Sequence, residues 1–217
     1  MRARYPWLYF NEKVIFSAQG FTWITDGTEA GTVRLTSGYT NAGVVMGDYF
    51  FGFGYDFSMA STRLFKSDGT TVEVTYLHGN SSDVTMYGTI PRLNNKLILQ
   101  HYHVNTGAEL SISDETQQNF ALLKDIKPGA QSSEPRGWGI LNDRVFFLAD
   151  DGINGNEIWS TDGTADGTAL LKNIVSGTEN SFRPTGGIAV SGDKLHLLAA
   201  SAGDGPFSPD LYISDGT

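Results

Sequence analysis

The chain has 217 residues, 40% of them hydrophobic and 18% charged, which suits a folded domain of ordinary core content. A net charge of −9 with no run of Lys or Arg argues against nucleic acid and anionic membrane surfaces as partners. Apolar runs fall short of the roughly 18–20 residues that cross a bilayer, "MRARYPWLYFNEK" is too weakly apolar for a signal-peptide core, and the lack of cysteine removes disulfide and thiol chemistry.

Along the chain, apolar runs of about five residues alternate with turn residues in five units. The first, about 6–38, reads "WLYF", "NEKVIFSA", "FTWIT" and "VRLTS", with "WITDGTEAGT" (Trp23–Thr32) between the last two runs. The second, about 40–78, repeats the order with "AGVVM", "GDYFFGFG", "RLFKS" and "EVTYL" around "FKSDGT". In the third, about 83–126, "NNKLILQH", "ELSIS" and "FALLKDI" surround "SISDET". The fourth, about 135–175, has "NDRVFFLA", "EIWST" and "ALLKNI" around "WSTDGTADGT", Trp159–Thr168. The fifth, about 184–217, has "GGIAV", "GDKLHLLA" and "DLYIS" and ends on "YISDGT". The motif aspartates Asp26, Asp68, Asp114, Asp162 and Asp215 are spaced by 42, 46, 48 and 53 residues.

Runs this short predict strands, and no window carries a helical apolar stripe. "VFFLA" and "KLILQ" read as buried on both faces, as in a sheet sandwiched between neighbours. Four antiparallel strands per sandwiched unit is the geometry of a β-propeller blade. The sequence therefore predicts an all-β protein with near-zero helix content, one β-propeller domain over 1–217. Its five blades have four strands each, and the last blade lacks its outer strand.

The recurring motif falls where the third strand of each unit must turn into the fourth. Gly supplies the positive φ of a tight reversal, Asp accepts from amides two residues on, and Thr returns its hydroxyl to the loop. Asp26, Gly27 and Thr28, Asp68, Gly69 and Thr70, Asp162, Gly163 and Thr164, and Asp215, Gly216 and Thr217 are thus read as a structural turn motif, not a repeated active site. Glu115 stands in the Gly slot of the third copy, a worsened turn. Trp23, Phe65, Trp159 and Tyr212 occupy one repeat position and are expected in the core between blades, with Ser111 the departure.

"NEIWSTDGTADGT", "LLKDIKPGAQSSEP" and "VFFLADDGINGNEIW" resemble the bacterial ELWxxDGT repeat family. The resemblance is specific in the third and fourth units, fair in the first and weak around Arg63–Val74, where the second Gly-Thr is missing. It implies a propeller-forming array in large secreted or cell-surface bacterial proteins, and no agreed activity.

Stopping on the turn after its third strand, the fifth unit leaves the Asp210–Ser214 strand with an unpaired edge. Either the chain is a piece of a longer array, the favoured expectation, or another copy supplies the missing strand by self-association through this edge. Lys124 and Lys172 hold matching fourth-strand positions and read as edge protection.

Candidate chemistry is sparse. His101 and His103 in "QHYHV" lack a third ligand and read as a solvated strand end, and His78 and His196 stand alone. No nucleophile elbow or phosphate loop is present, so no catalytic residue is assigned. "ADDGINGNE" gathers Asp150, Asp151, Asn154, Asn156 and Glu157 in one oxygen-rich loop that calcium could use, although ordinary polar loop chemistry gives the same letters. The equivalent loops do not keep that set, so no cofactor is expected unless calcium binds here. The reading is a non-catalytic structural or interaction module meeting a protein or glycan on the extracellular side. The alternative is a lectin-like propeller with shallow sugar sites between blades. An axial-channel enzyme is the weakest of the three.

Overall fold

A computed structural model describes residues 7–58, 60–70, 72–75, 88–114, 121–177, 180–182, 187–200 and 209–217. His78, Glu115, Thr116 and most of the loop before Asp210 lie outside these residues. The described residues are strands and turns with no helix.

The chain divides into two compact units, one carrying the first two repeats and the other the last three. In the first unit, β1 (Leu8–Phe10), β2 (Lys13–Ala18), β3 (Phe21–Thr25) and β4 (Val33–Arg34) form an antiparallel sheet in chain order. A second sheet runs through β5 (Gly38–Met46), β6 (Tyr49–Asp56), β7 (Ser61–Ser67) and β8 (Val72–Thr75). It gains a fifth strand that the repeat pattern did not predict: β9 (Gly88–Thr89) pairs parallel to β5 through Ala42 and Gly43. Strand β5 also starts earlier than "AGVVM", because Gly38, Tyr39 and Thr40 continue the ladder opposite Asp56, Tyr55 and Gly54 past a bulge.

In the second unit, β10 (Arg92–Leu93), β11 (Lys96–His103), β12 (Gly107–Ser113) and β13 (Ala121–Lys124) form one antiparallel sheet. Next in the chain come β14 (Arg136–Leu141), β15 (Arg144–Asp150), β16 (Asn156–Thr161) and β17 (Ala169–Lys172). Among the described residues the last sheet has three strands, β18 (Ile188–Ser191), β19 (Lys194–Ala200) and β20 (Pro209–Ser214), with no outer strand beyond β20, as expected.

Strand β15 is buried on both faces because a neighbouring sheet lies against each. Val145, Phe146, Phe147, Leu148 and Ala149 of β15 are all at most 1% exposed. One face joins Leu93, Ile98 and Leu110 of the third sheet, and the other joins Leu195, Leu197 and Ala199 of the fifth. In the first unit the corresponding core pairs Phe10, Ile15 and Ile24 with Phe50 and Phe65. Of the expected aromatic series, Trp159 and Phe65 sit within these inter-sheet clusters, and Tyr212 packs partly buried against one.

Candidate functional site

The motif residues follow the third strand of their sheets and bond to the chain itself. Asp26 Oδ1 accepts from Thr28 N at 2.9 Å and Thr28 Oγ1 at 2.7 Å, and Asp162 repeats this with Thr164 at 2.9 and 2.7 Å. Asp68 with Thr70 and Asp215 with Thr217 form the same pair of bonds. Donation by the threonine hydroxyls, then by their amides, holds Asp26, Asp162 and Asp215 below the usual carboxylate range. The motif glycine takes φ between 84° and 92° in all four turns, conformations that L side chains rarely adopt.

Two structural reasons for the motif escaped the sequence reading. In the long form the second glycine makes room for the motif carboxylate, since a Cβ on Gly31 or Gly167 would lie 2.0–2.1 Å from that of Asp26 or Asp162 and displace it from its turn. The first glycine also abuts the preceding sheet. A Cβ on Gly163 would stand 3.3 Å from Leu93, one on Gly69 3.3 Å from Ile24 and Phe10, and one on Gly216 2.8 Å from Phe146. Gly27, in the first sheet, has nothing within 4 Å of that position.

The residue five before the motif aspartate has its own task. Glu109 and Glu157, both 0% exposed, tie down the link from each sheet to the next. Glu109 accepts from Ile126 N, Ser133 N and Ser133 Oγ, and Glu157 accepts from Ile174 N and Ser181 Oγ. Burial pushes both carboxyls above the ordinary range, against the downward pull of these donors. Repeat spacing alone could have matched Glu109 to Glu157, but not what they hold.

Structure disperses the oxygen-rich loop residues. Glu157 and Asn156 belong to β16 and are buried, Asn156 donating to Phe182 O. Asp150 Oδ2 meets Lys127 Nζ at 2.6 Å, Asp151 accepts from Ile153 N, Asn154 N and Asn154 Nδ2, and Asn154 Oδ1 accepts from Asn173. Among the described residues no three His, Asp or Glu side chains gather at a metal-sized point. His101 is buried in β11 rather than solvated. Lys124 does more than guard an edge, because its Nζ donates to Ala165 O in the next sheet's motif turn.

The repeat departs from its own pattern in the first unit, and there a cavity opens. The glutamate position holds Phe21 in the first sheet and Arg63 in the second. Only Leu35–Ser37 joins β4 to β5, whereas Asp125–Pro135 joins β13 to β14. A cavity of about 280 Å³ lies against this short link, between it, the Gly38 end of β5, the Asp56 end of β6 and Arg63 on β7. Its walls depend on two glycines: a Cβ on Gly38 would fall 1.7 Å from Tyr55 O, and one on Gly54 1.8 Å from Tyr39 O. Their absent side chains let β5 and β6 approach so that the Tyr39 and Tyr55 rings stack, centroids 6.3 Å apart and planes 24° from parallel. Beside them Asp56 Oδ1 collects Ser37 Oγ at 2.6 Å, Ser58 N at 2.8 Å and Ser58 Oγ at 2.6 Å. Aromatic rings, hydroxyls, a carboxylate and a guanidinium thus line one small space, the usual mix of a small-molecule site.

Neither a family model nor any curated protein matches the chain. Among solved structures, one from a study of two prolyl endopeptidases aligns with 97% of this chain at 13% identity and a TM-score of 0.62, this chain spanning 33% of its length. A structure assigned as TolB from Agrobacterium tumefaciens aligns with 94% of this chain and 74% of its own, at 12% identity and a TM-score of 0.50. Such identities speak to fold alone. With five small sheets in chain order, they define the class: this is an all-β protein of β-propeller fold.

Proposed function

We propose that the chain is a non-catalytic interaction module of a bacterial secreted or cell-surface protein, its ELWxxDGT-like repeats serving as scaffold and its loops as the binding surface. The observation that carries this is where the repeated polar groups point: motif aspartates and threonines, and the glutamates five residues earlier, bond to their own turns and links. Repetition therefore builds the scaffold, and recognition belongs to what differs between repeats. The partner is a protein or a glycan on the extracellular side.

Incubation with chromogenic esters, peptides and glycosides is expected to give no turnover above a heat-denatured control. Turnover that survives purification to homogeneity and is lost on a single side-chain replacement overturns the non-catalytic reading.

A further inference from the structure

We infer that the cavity between the first two repeats is a site for one neutral sugar ring, present once per chain. This rests on the interaction-module reading and names the ligand class of that module. Size sets the first limit, because about 280 Å³ lies at the lower edge of the roughly 300–1,000 Å³ of ligand sites for drug-sized molecules. That suits one ring rather than an oligosaccharide or a peptide segment.

Surface chemistry sets the second. A pyranose presents an apolar C–H face and a rim of hydroxyls that both donate and accept. Tyr39 and Tyr55 line the cavity wall with half-buried rings, each tipped by a hydroxyl and met edge-on by Phe57 at 5.9 and 5.4 Å. Ser37 and Ser58 place hydroxyls around Asp56, and Arg63 adds a donor-only group. Acceptor and donor groups of opposite charge in one space match a neutral polyhydroxylated ligand. A bare cation would meet the guanidinium, and a bare anion the carboxylate.

Copy number follows from the sequence. In the third and fourth repeats the position of Arg63 is glutamate, and that glutamate is consumed in holding the following link. Among the described residues the Leu35–Ser37 link is the short one, and it leaves β5 and β6 to form the wall, with Gly38 and Gly54 where the two strands pair most closely. The repeated shallow sites expected of a lectin-like propeller are thereby replaced by one site at one junction.

The test titrates the full chain with methyl glycosides of glucose, galactose, mannose and N-acetylglucosamine, read by saturation-transfer NMR and calorimetry. At least one glycoside is expected to bind with a Kd near the millimolar range and a stoichiometry of one. Tyr55→Ala is expected to weaken it about tenfold or more, and Tyr55→Phe, which keeps the ring, by less. Thermal melting of Tyr55→Phe and Tyr55→Ala, each expected as one cooperative transition, controls for folding. Tetramethylammonium and inorganic phosphate serve as the charged probes. The inference is overturned if no glycoside binds the folded chain, if a charged probe binds in its place, or if Tyr55→Ala leaves binding intact. Cleavage of a bound glycoside in the same NMR samples would instead overturn the non-catalytic reading and leave the site standing.

Discussion

Two glycines in the same motif separate two physical effects at the scale of the residue. Gly27 and Gly163 share a positive φ, 92° and 88°, but a side chain at Gly27 meets open space, whereas one at Gly163 meets Leu93 and Ile112 of the preceding sheet. Gly27→Val should therefore report backbone strain alone, about 1–2 kcal/mol. Gly163→Val adds overpacking between sheets and should cost about 1–3 kcal/mol more. Denaturant unfolding of the two variants measures the difference. Equal losses would mean that the motif glycine is selected by turn geometry only, and loss of a binding activity without loss of stability would mean that the motif is not structural.

The third and fourth sheets are each tied to the link that follows them through the glutamate five residues before the motif aspartate. Glu157 reaches from β16 to Ile174 N and Ser181 Oγ, so one side chain fixes two points along the link after β17. Glu157→Ala leaves those donors buried without their acceptor and should cost about 2–4 kcal/mol. Glu157→Gln retains one acceptor oxygen and should cost less. Hydrogen exchange at Ile174 locates the effect, and the expected order is wild type slowest, Gln intermediate and Ala fastest. Identical exchange in all three would show that the link is held by something other than the carboxylate. In the second sheet Arg63 replaces this carboxylate, so that repeat trades a structural tie for a wall of the cavity.

The whole molecule leaves the fifth sheet with β20 as an edge, paired to β19 and to no further strand among the described residues. Leu211 and Ile213 on that strand are 60% and 58% exposed. Edges of this kind recruit strands, by self-association or by capture of a peptide. The peptide TALLKNI, copied from Thr168–Ile174, follows the motif of the preceding repeat and contains β17, and it should raise the melting temperature and reduce self-association in light scattering. A chain that stays monomeric and ignores the peptide would show this edge to be covered by other means.

Which features could be read in advance follows from how far apart their causes lie along the chain. Strand positions, five-fold repetition, the turns at Asp26 to Thr28 and Asp162 to Thr164 and the doubly buried β15 were legible in the sequence, because each depends on neighbours a few residues away. What Gly163 packs against, what Glu109 and Glu157 hold, and the parallel strand β9 depend on segments one sheet or one link apart. The cavity is no easier to read, since Gly38 and Gly54 look like ordinary strand glycines until β5 and β6 pair so closely that a side chain on either would meet the carbonyl of Tyr55 or Tyr39. Local chemistry wrote the repeat into the sequence; the close approach of two paired backbones, which no spacing encodes, made one junction differ.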